Sequence, residues 1–412
     1  MKRISTYISP ILLLGTLMLF STSSIYSAEL ELLAEFKPDP ANPARNLFVN
    51  KTPQSGFCAT NQSRCEANNM FSLRIATKFA SNAPITANHT DPRQGALFKI
   101  PTEWRTFTVT HRVTGEQEPV EIRIKAFGSQ YRTSDRVALL VGQDVPNATG
   151  HLLLWGEAWY FAPAGCNGLG HSLGFNSTDY NFFWQPTGDT PCSKQAKFDI
   201  PGFAYNYLEF AYEIKTPNPL GMSTGEYIGN FTYMLGPNQD FDMGDLMIPT
   251  DPVLSLNFTL EVQHTLKVGI PPGANKVELT PKGGWQQWLQ KGRIAEKIYR
   301  DQSFLISASS RFKMQLACER QIGDTCAISN GSHAVPVDVQ VSMPNGIANN
   351  DDSSVSRKPL GVTTEQQFKS TFYVEQKPST LHFEIQKRYV EEMMTEQGKY
   401  SGNITVIWDS EV

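Results

Sequence analysis

The chain has 412 residues, with 36 Lys+Arg against 40 Asp+Glu and a formal net charge of −4. A mildly acidic balance without a Lys/Arg block argues against nucleic acid or an anionic membrane surface as a partner. Beyond the N-terminal segment, no stretch approaches the ~18 uninterrupted apolar residues that a membrane span needs.

Residues 1–28 begin with Lys2 and Arg3, continue through an apolar run from Ile11 to Phe20, and end in small, mostly polar residues to Ala28. This is the pattern of a secretory signal cleaved near Ser27 or Ala28. Removing it would change the formal charge from 36 − 40 = −4 to 34 − 40 = −6 and leave 412 − 28 = 384 residues. At ~100 to 200 residues per domain, that favours two domains. The six cysteines fall into sequence-local couples, Cys58 with Cys65, Cys166 with Cys192, and Cys318 with Cys326. Six cysteines allow 15 pairings; local pairing is the simplest, and an exported chain meets an oxidising compartment. Free thiols remain an alternative, and zinc is disfavoured because no C-x-x-C spacing occurs.

After the leader, Leu30, Leu32, Ala34 and Phe36 alternate with Glu31, Leu33 and Glu35. That reads as the first strand of the first domain, with a free extension offered to a neighbouring subunit as the alternative. Residues 72–79, 107–109, 120–127 and 208–214 continue as strands. No 3.6-residue periodicity appears between Glu29 and Asp242, so an all-β domain is expected over 29–236. The stretch 237–253 is rich in Gly and Pro and carries Asp240, Asp242 and Asp245. It reads as a solvated linker, with calcium binding as a weaker alternative because the spacing of a helix-loop-helix site is missing.

The second domain, 254–412, opens with LSLNFTLEVQHTLKVGI, in which every even position is apolar except His264. At ~3.3 Å per residue the stretch spans roughly 56 Å, too long for one strand of a compact sheet. It must bend, cross between sheets, or turn back near His264 or Gly269. Trp285, Trp288 and Leu289 at i, i+3 and i+4 suggest a short helix or turn laid on the sheet, as core cover or a sugar-stacking surface. Strands are expected at 304–308, 312–318, 335–341, 372–374 and 381–386. The chain closes on Ile404, Val406 and Trp408 alternating with Asn403, Thr405 and Ile407. A strand so near the last residue belongs at a sheet margin or beside a gap.

Catalytic signals are poor. Gly170-His171-Ser172-Leu173-Gly174 matches G-x-S-x-G, but no strand-helix alternation surrounds it. The seven histidines are scattered without metal-ligand spacing, and neither a cofactor nor a metal is expected. His264 reads as a polar break in a strand. Tyr131, Arg132 and Arg136, followed by Trp155, Trp159, Tyr160 and Phe161, are the best concentration of sugar-stacking and carboxylate-forking side chains, although core packing explains the tryptophans equally well. Tyr131, Arg132, Arg136 and Trp159 are therefore the candidate receptor-binding residues.

The order of GFCATNQSRC, AGCNGLG to TPCSK, YIGNFTYMLGPNQDFDMGD, LNFTLEVQHTLKV, GGWQQWLQKGR and GKYSGNITVIWDS resembles the CfaE/CblD-like tip subunits of chaperone-usher pili, the pilus biogenesis initiators. The resemblance implies two immunoglobulin-like β-sandwiches in tandem, an N-terminal adhesin domain and a C-terminal pilin domain lacking one strand. It implies a groove healed by a strand from another chain, with Leu256, Phe258, Leu260, Val262, Ile404, Val406 and Trp408 as its expected lining. It also implies a periplasmic chaperone, an outer-membrane usher, a major pilin as strand donor, a host surface glycan or glycoprotein as receptor, and a place at the fimbrium tip on the cell surface. Where family members that bind acidic glycans carry an arginine cluster, this chain has Lys51 and Pro53, and Lys215, Thr216 and Pro217, so that chemistry is not carried over. The competing expectation is a self-sufficient secreted β-sandwich lectin or surface hydrolase.

Overall fold

The computed structural model describes residues 28–169, 174–291 and 295–410, with nothing described for the side chains of Gln287, Leu289 and Lys291. The expected leader, apart from Ala28, and Gly170, His171, Ser172 and Leu173 of the G-x-S-x-G match lie outside the described residues. The protein is all-β, built as two sandwich units that each enclose a separate hydrophobic core.

The first unit is organised around the Gln117–Thr133 strand, which pairs with Arg105–His111, Leu208–Lys215, Asp179–Pro186 and Phe203–Tyr205. Its alternation buries Val120, Ile122 and Ile124 while Glu121, Arg123 and Lys125 stay partly exposed. Its register with Leu208–Lys215 slips by one residue between Ala211 and Tyr212, where Lys125 is passed over. Disulfides join Cys58 to Cys65 and Cys166 to Cys192 in this unit, and Cys318 to Cys326 in the second. The 26-residue separation of Cys166 and Cys192 makes theirs the bridge that most restricts the unfolded chain, by roughly 3.5 kcal/mol on loop entropy alone.

The domain boundary lies further along the chain than the sequence suggests. Val253–Val262 pairs antiparallel with Gly225–Met234 and parallel with Ala28–Phe36. Leu254, Leu256, Phe258, Leu260 and Val262 are at most 1% exposed and belong to the first core. Phe241, Met243 and Met247 are buried there too, so 237–253 is no solvated linker. Asp242, 1% exposed, receives two hydrogen bonds from the Arg93 guanidinium at 2.8 and 3.2 Å, and Asp245 receives another at 2.7 Å. Asp240 pairs with Arg105 at 2.8 Å. These carboxylates are consumed by arginines 135 to 152 positions earlier in the chain, and the pairing with Asp242 and Asp245 raises the Arg93 pKa.

The Ala28–Phe36 strand closes on its own sheet, with Leu32, Ala34 and Phe36 buried. The chain leaves this sheet at Gln263, whose N–H donates to the Phe36 carbonyl, and re-enters pairing at Leu266–Gly269 in the second unit.

In the second unit one sheet runs Leu266–Gly269, Lys297–Ala308, Val374–Gln386, Ala334–Ser342. The facing sheet runs Ile347–Asn349, Gln366–Ser370, Phe312–Cys318, Ile404–Ser410. In spatial order the first sheet gives the A, B, E, D strands of an immunoglobulin-like sandwich, and Phe312–Cys318 and Ile404–Ser410 of the second are its C and F strands. Ile404–Ser410 ends its sheet, and among the described residues it forms a ladder with Phe312–Cys318 alone.

Candidate functional site

The open edge of Ile404–Ser410 defines the main site. One edge of this strand is paired with Phe312–Cys318 over its whole length, and no other strand pairing is made by it among the described residues. Its inward row, Ile404, Val406 and Trp408, is half-buried and packs on the second core; the Trp408 ring lies 5.8 Å from that of Phe304. Leu266 and Val268, on the terminal strand of the opposite sheet, are also half-buried against that core. Each sheet thus ends in a strand that turns a half-buried apolar row to the second core, and along the seam between these ends Ile404–Ser410 makes no further strand pairing among the described residues. Of the seven expected lining residues, Ile404, Val406 and Trp408 stand at the seam. Leu256, Phe258, Leu260 and Val262 do not, because their strand belongs to the other unit. Leu266 and Val268 take their place, and the signal for them was the same two-residue alternation continuing past His264.

The aromatic and arginine candidates divide by depth. Tyr131 and Trp159 are fully buried, so neither presents a face to a ligand. Trp159 stacks on Trp184 at 5.1 Å, meets Phe98 edge-on at 6.2 Å, and accepts the Trp184 indole N–H at its carbonyl. Arg132 and Arg136 are exposed. Arg132 forks onto Asp179 with Nε and Nη2 at 2.6 and 2.9 Å, which holds the carboxyl below the usual range despite its burial. Trp285 is 40% exposed on the short helix Gly284–Lys291, its ring 5.6 Å from that of Trp288.

Two histidines are structural. The Nε2–H of His151 donates to the Asn176 carbonyl at 2.8 Å, so in the neutral ring Nδ1 accepts the Tyr131 hydroxyl at 2.6 Å. His264 Nε2–H donates to the Met222 carbonyl at 2.9 Å, and its Nδ1 accepts from Ser309 at 3.1 Å, pinning the crossover between units. Burial depresses both pKa values. The unfolded chain, titrating near 6.5, then binds protons that the native state resists. Stability is fully present above about pH 6.5 and is lost as pH falls through the depressed folded values. Urea midpoints taken at pH 7.5 and 5.5 should drop in the acid sample, and His151→Gln and His264→Gln should each flatten that drop. An unchanged wild-type midpoint would contradict the assignment.

A cleft of about 520 Å³ opens on the second unit between Asp338, Gln340, Pro359 and Gln366. Its two carboxylates are engaged, Asp324 by the Thr363 N–H and hydroxyl and Asp338 by the Gln386 amide. Among the described residues no three His, Cys, Asp or Glu side chains gather as a metal site.

No protein-family model and no curated protein matches the chain. Solved structures do. Among the matches are structures of fimbrial adhesins. A structure described as a chaperone-tip adhesin complex vital for synergistic activation of CFA/I fimbriae biogenesis is matched at 9% identity and a TM-score of 0.26, over 94% of this chain and 97% of that one. CfaE, the adhesive subunit of CFA/I fimbria of enterotoxigenic Escherichia coli, is matched at 9% identity and a TM-score of 0.26, over 94% of each chain. A mutant of CfaE is matched at 8% identity and a TM-score of 0.27, over 94% of this chain and 93% of that one. Identities this low transfer no binding residue.

Proposed function

We propose that the chain is the tip subunit of a chaperone-usher pilus: it accepts a donor strand in its second unit, initiates assembly, and presents its first unit to a host surface glycan or glycoprotein. The observation that carries this reading is the free edge of Ile404–Ser410 with its half-buried apolar row. A strand from another chain laid along that edge would satisfy the backbone and cover the seam, as in pilin complementation. Four or five inserted apolar side chains at ~1.5 to 3 kcal/mol each give a gross ~6 to 15 kcal/mol, comparable with the ~5 to 15 kcal/mol stability of a whole domain. The occupied state of Ala28–Phe36 supports a terminal position, since that strand is spent inside the first unit and is not on offer to a neighbour. On this reading a periplasmic chaperone lends the first strand, an outer-membrane usher hosts its exchange for that of the major pilin, and the product stands at the fimbrium tip.

Periplasmic co-expression with a pilus chaperone tests it. The full chain should purify as a stoichiometric complex, and Val406→Asp, which plants a carboxylate in the seam, should abolish that complex while the first unit stays folded. Accumulation as a stable, chaperone-free monomer would refute the proposal.

A further inference from the structure

Asp301, His382 and Ser342 form a hydrogen-bonded chain across three neighbouring strands of the second unit. Val374–Gln386 carries His382 and lies between Lys297–Ala308, on which Asp301 is the direct partner of His382, and Ala334–Ser342, which Ser342 ends. Leu381, Phe383 and Val341 belong to the second core, so His382 and Ser342 stand on the outer face of this sheet. The Asp301 carboxylate accepts the His382 Nδ1–H at 2.7 Å. In the neutral ring Nε2 is then left to accept the Ser342 hydroxyl at 2.8 Å. His382 is 40 positions from Ser342 and 81 from Asp301, so only the sheet brings them together.

Arg357 ties the chain down. Its backbone N–H donates to Ser342 Oγ at 3.0 Å, its Nη1 donates to Glu384 at 2.6 Å, and its Nη2 lies 3.9 Å from the Asp301 carboxylate. Arg357 holds a φ of +46°, a left-handed conformation that costs a residue other than glycine and persists only where its surroundings impose it. His382 is 7% exposed, whereas Ser342 is half-buried, so the ring is shielded while the serine beside it is partly open to solvent.

A serine becomes a nucleophile when a base accepts its proton and a third group fixes the tautomer of that base. We propose that Ser342 is such a nucleophile, with His382 as general base and Asp301 as positioning residue, and that the site cleaves short acyl esters such as acetyl esters. The Ser342 proton passes to His382 Nε2 as the bond from Oγ to the acyl carbon forms, and the alcohol leaves with that proton. Water, losing a proton to His382, then attacks the acyl-serine, the carboxylic acid departs, and the proton returns to Ser342 Oγ. Gln340, the strand partner of His382, and Arg357 and Glu384 make the surroundings polar, which favours a short acyl group over a long apolar one. A single backbone N–H beside Oγ gives modest stabilisation of the oxyanion, so turnover is slow. Ile404–Ser410 lies in the other sheet, so this activity does not depend on the open seam.

Two reactions of the full chain test the site. A fluorophosphonate probe, which forms an Oγ–P bond with loss of fluoride, should leave its adduct on Ser342 in the digested protein, and p-nitrophenyl acetate should be hydrolysed faster than the octanoate. Labelling should slow roughly hundredfold in His382→Gln. It should slow about tenfold or more in Asp301→Asn, whose carboxamide no longer fixes the tautomer, and recover in part in Asp301→Glu. Ser342→Ala should abolish the hydrolysis. Urea midpoints of the same samples report folding, and Asp301, with its side chain 48% exposed, remains a fair probe should His382→Gln fail to fold. No adduct on Ser342, labelling that Asp301→Asn leaves unchanged, hydrolysis that survives Ser342→Ala, or a preference for the octanoate overturns the proposal.

Discussion

Denaturant titration of the full chain without a partner will give two separate transitions, the earlier one belonging to the second unit. That unit leaves Ile404, Val406, Trp408, Leu266 and Val268 half-buried, and no strand hydrogen-bonds the outer edge of Ile404–Ser410 among the described residues. A peptide with alternating apolar residues, the chemistry of a donor strand, should move the first transition to higher denaturant and leave the second in place. The gross gain is ~6 to 15 kcal/mol of apolar burial, reduced by the cost of ordering the peptide. In Val406→Asp the peptide should lose its effect. One cooperative transition that ignores the peptide would mean that the seam needs no closing.

Trp159→Ala should cost the first unit about 3–5 kcal/mol, the range for emptying a buried tryptophan site. The ring is fully buried between Trp184, Phe98 and Phe182, at 5.1, 6.2 and 4.8 Å. Its indole nitrogen has no hydrogen-bond partner among the described residues, so packing is its contribution. Trp159→Phe should recover most of the loss. The measurement is the second of the two transitions described above. A variant that retained its stability but lost a ligand would instead place Trp159 at a surface.

Much of the architecture was legible because burial of one face imposes a period of two. The alternations beginning at Leu30, Val120, Leu254 and Ile404 each correspond to a strand. What the alternation could not convey is which core a face meets. Leu254 to Val268 reads as one pattern, yet Val262 lies in the first core and Leu266 packs on the second. His264 was the only interruption, and its partners Met222 and Ser309 are distant in the chain. Long-range ion pairs were hidden for the same reason. Asp242 looks like linker chemistry until Arg93 is seen to cover it. Tyr131 and Trp159 illustrate a different limit: an aromatic in a core and one on a platform are the same letter, and only depth separates them.

The parallel pairing of Ala28–Phe36 with Val253–Val262 sets a schedule for biogenesis. These partners are 226 positions apart, from Ala28 to Leu254, so a chain made from its N-terminus holds its first strand unmatched until nearly the whole first unit has been synthesised. Synthesis and first-unit maturation are thereby coupled, and any pause before residue 253 leaves the row of Leu30, Leu32, Ala34 and Phe36 open to capture by the wrong neighbour.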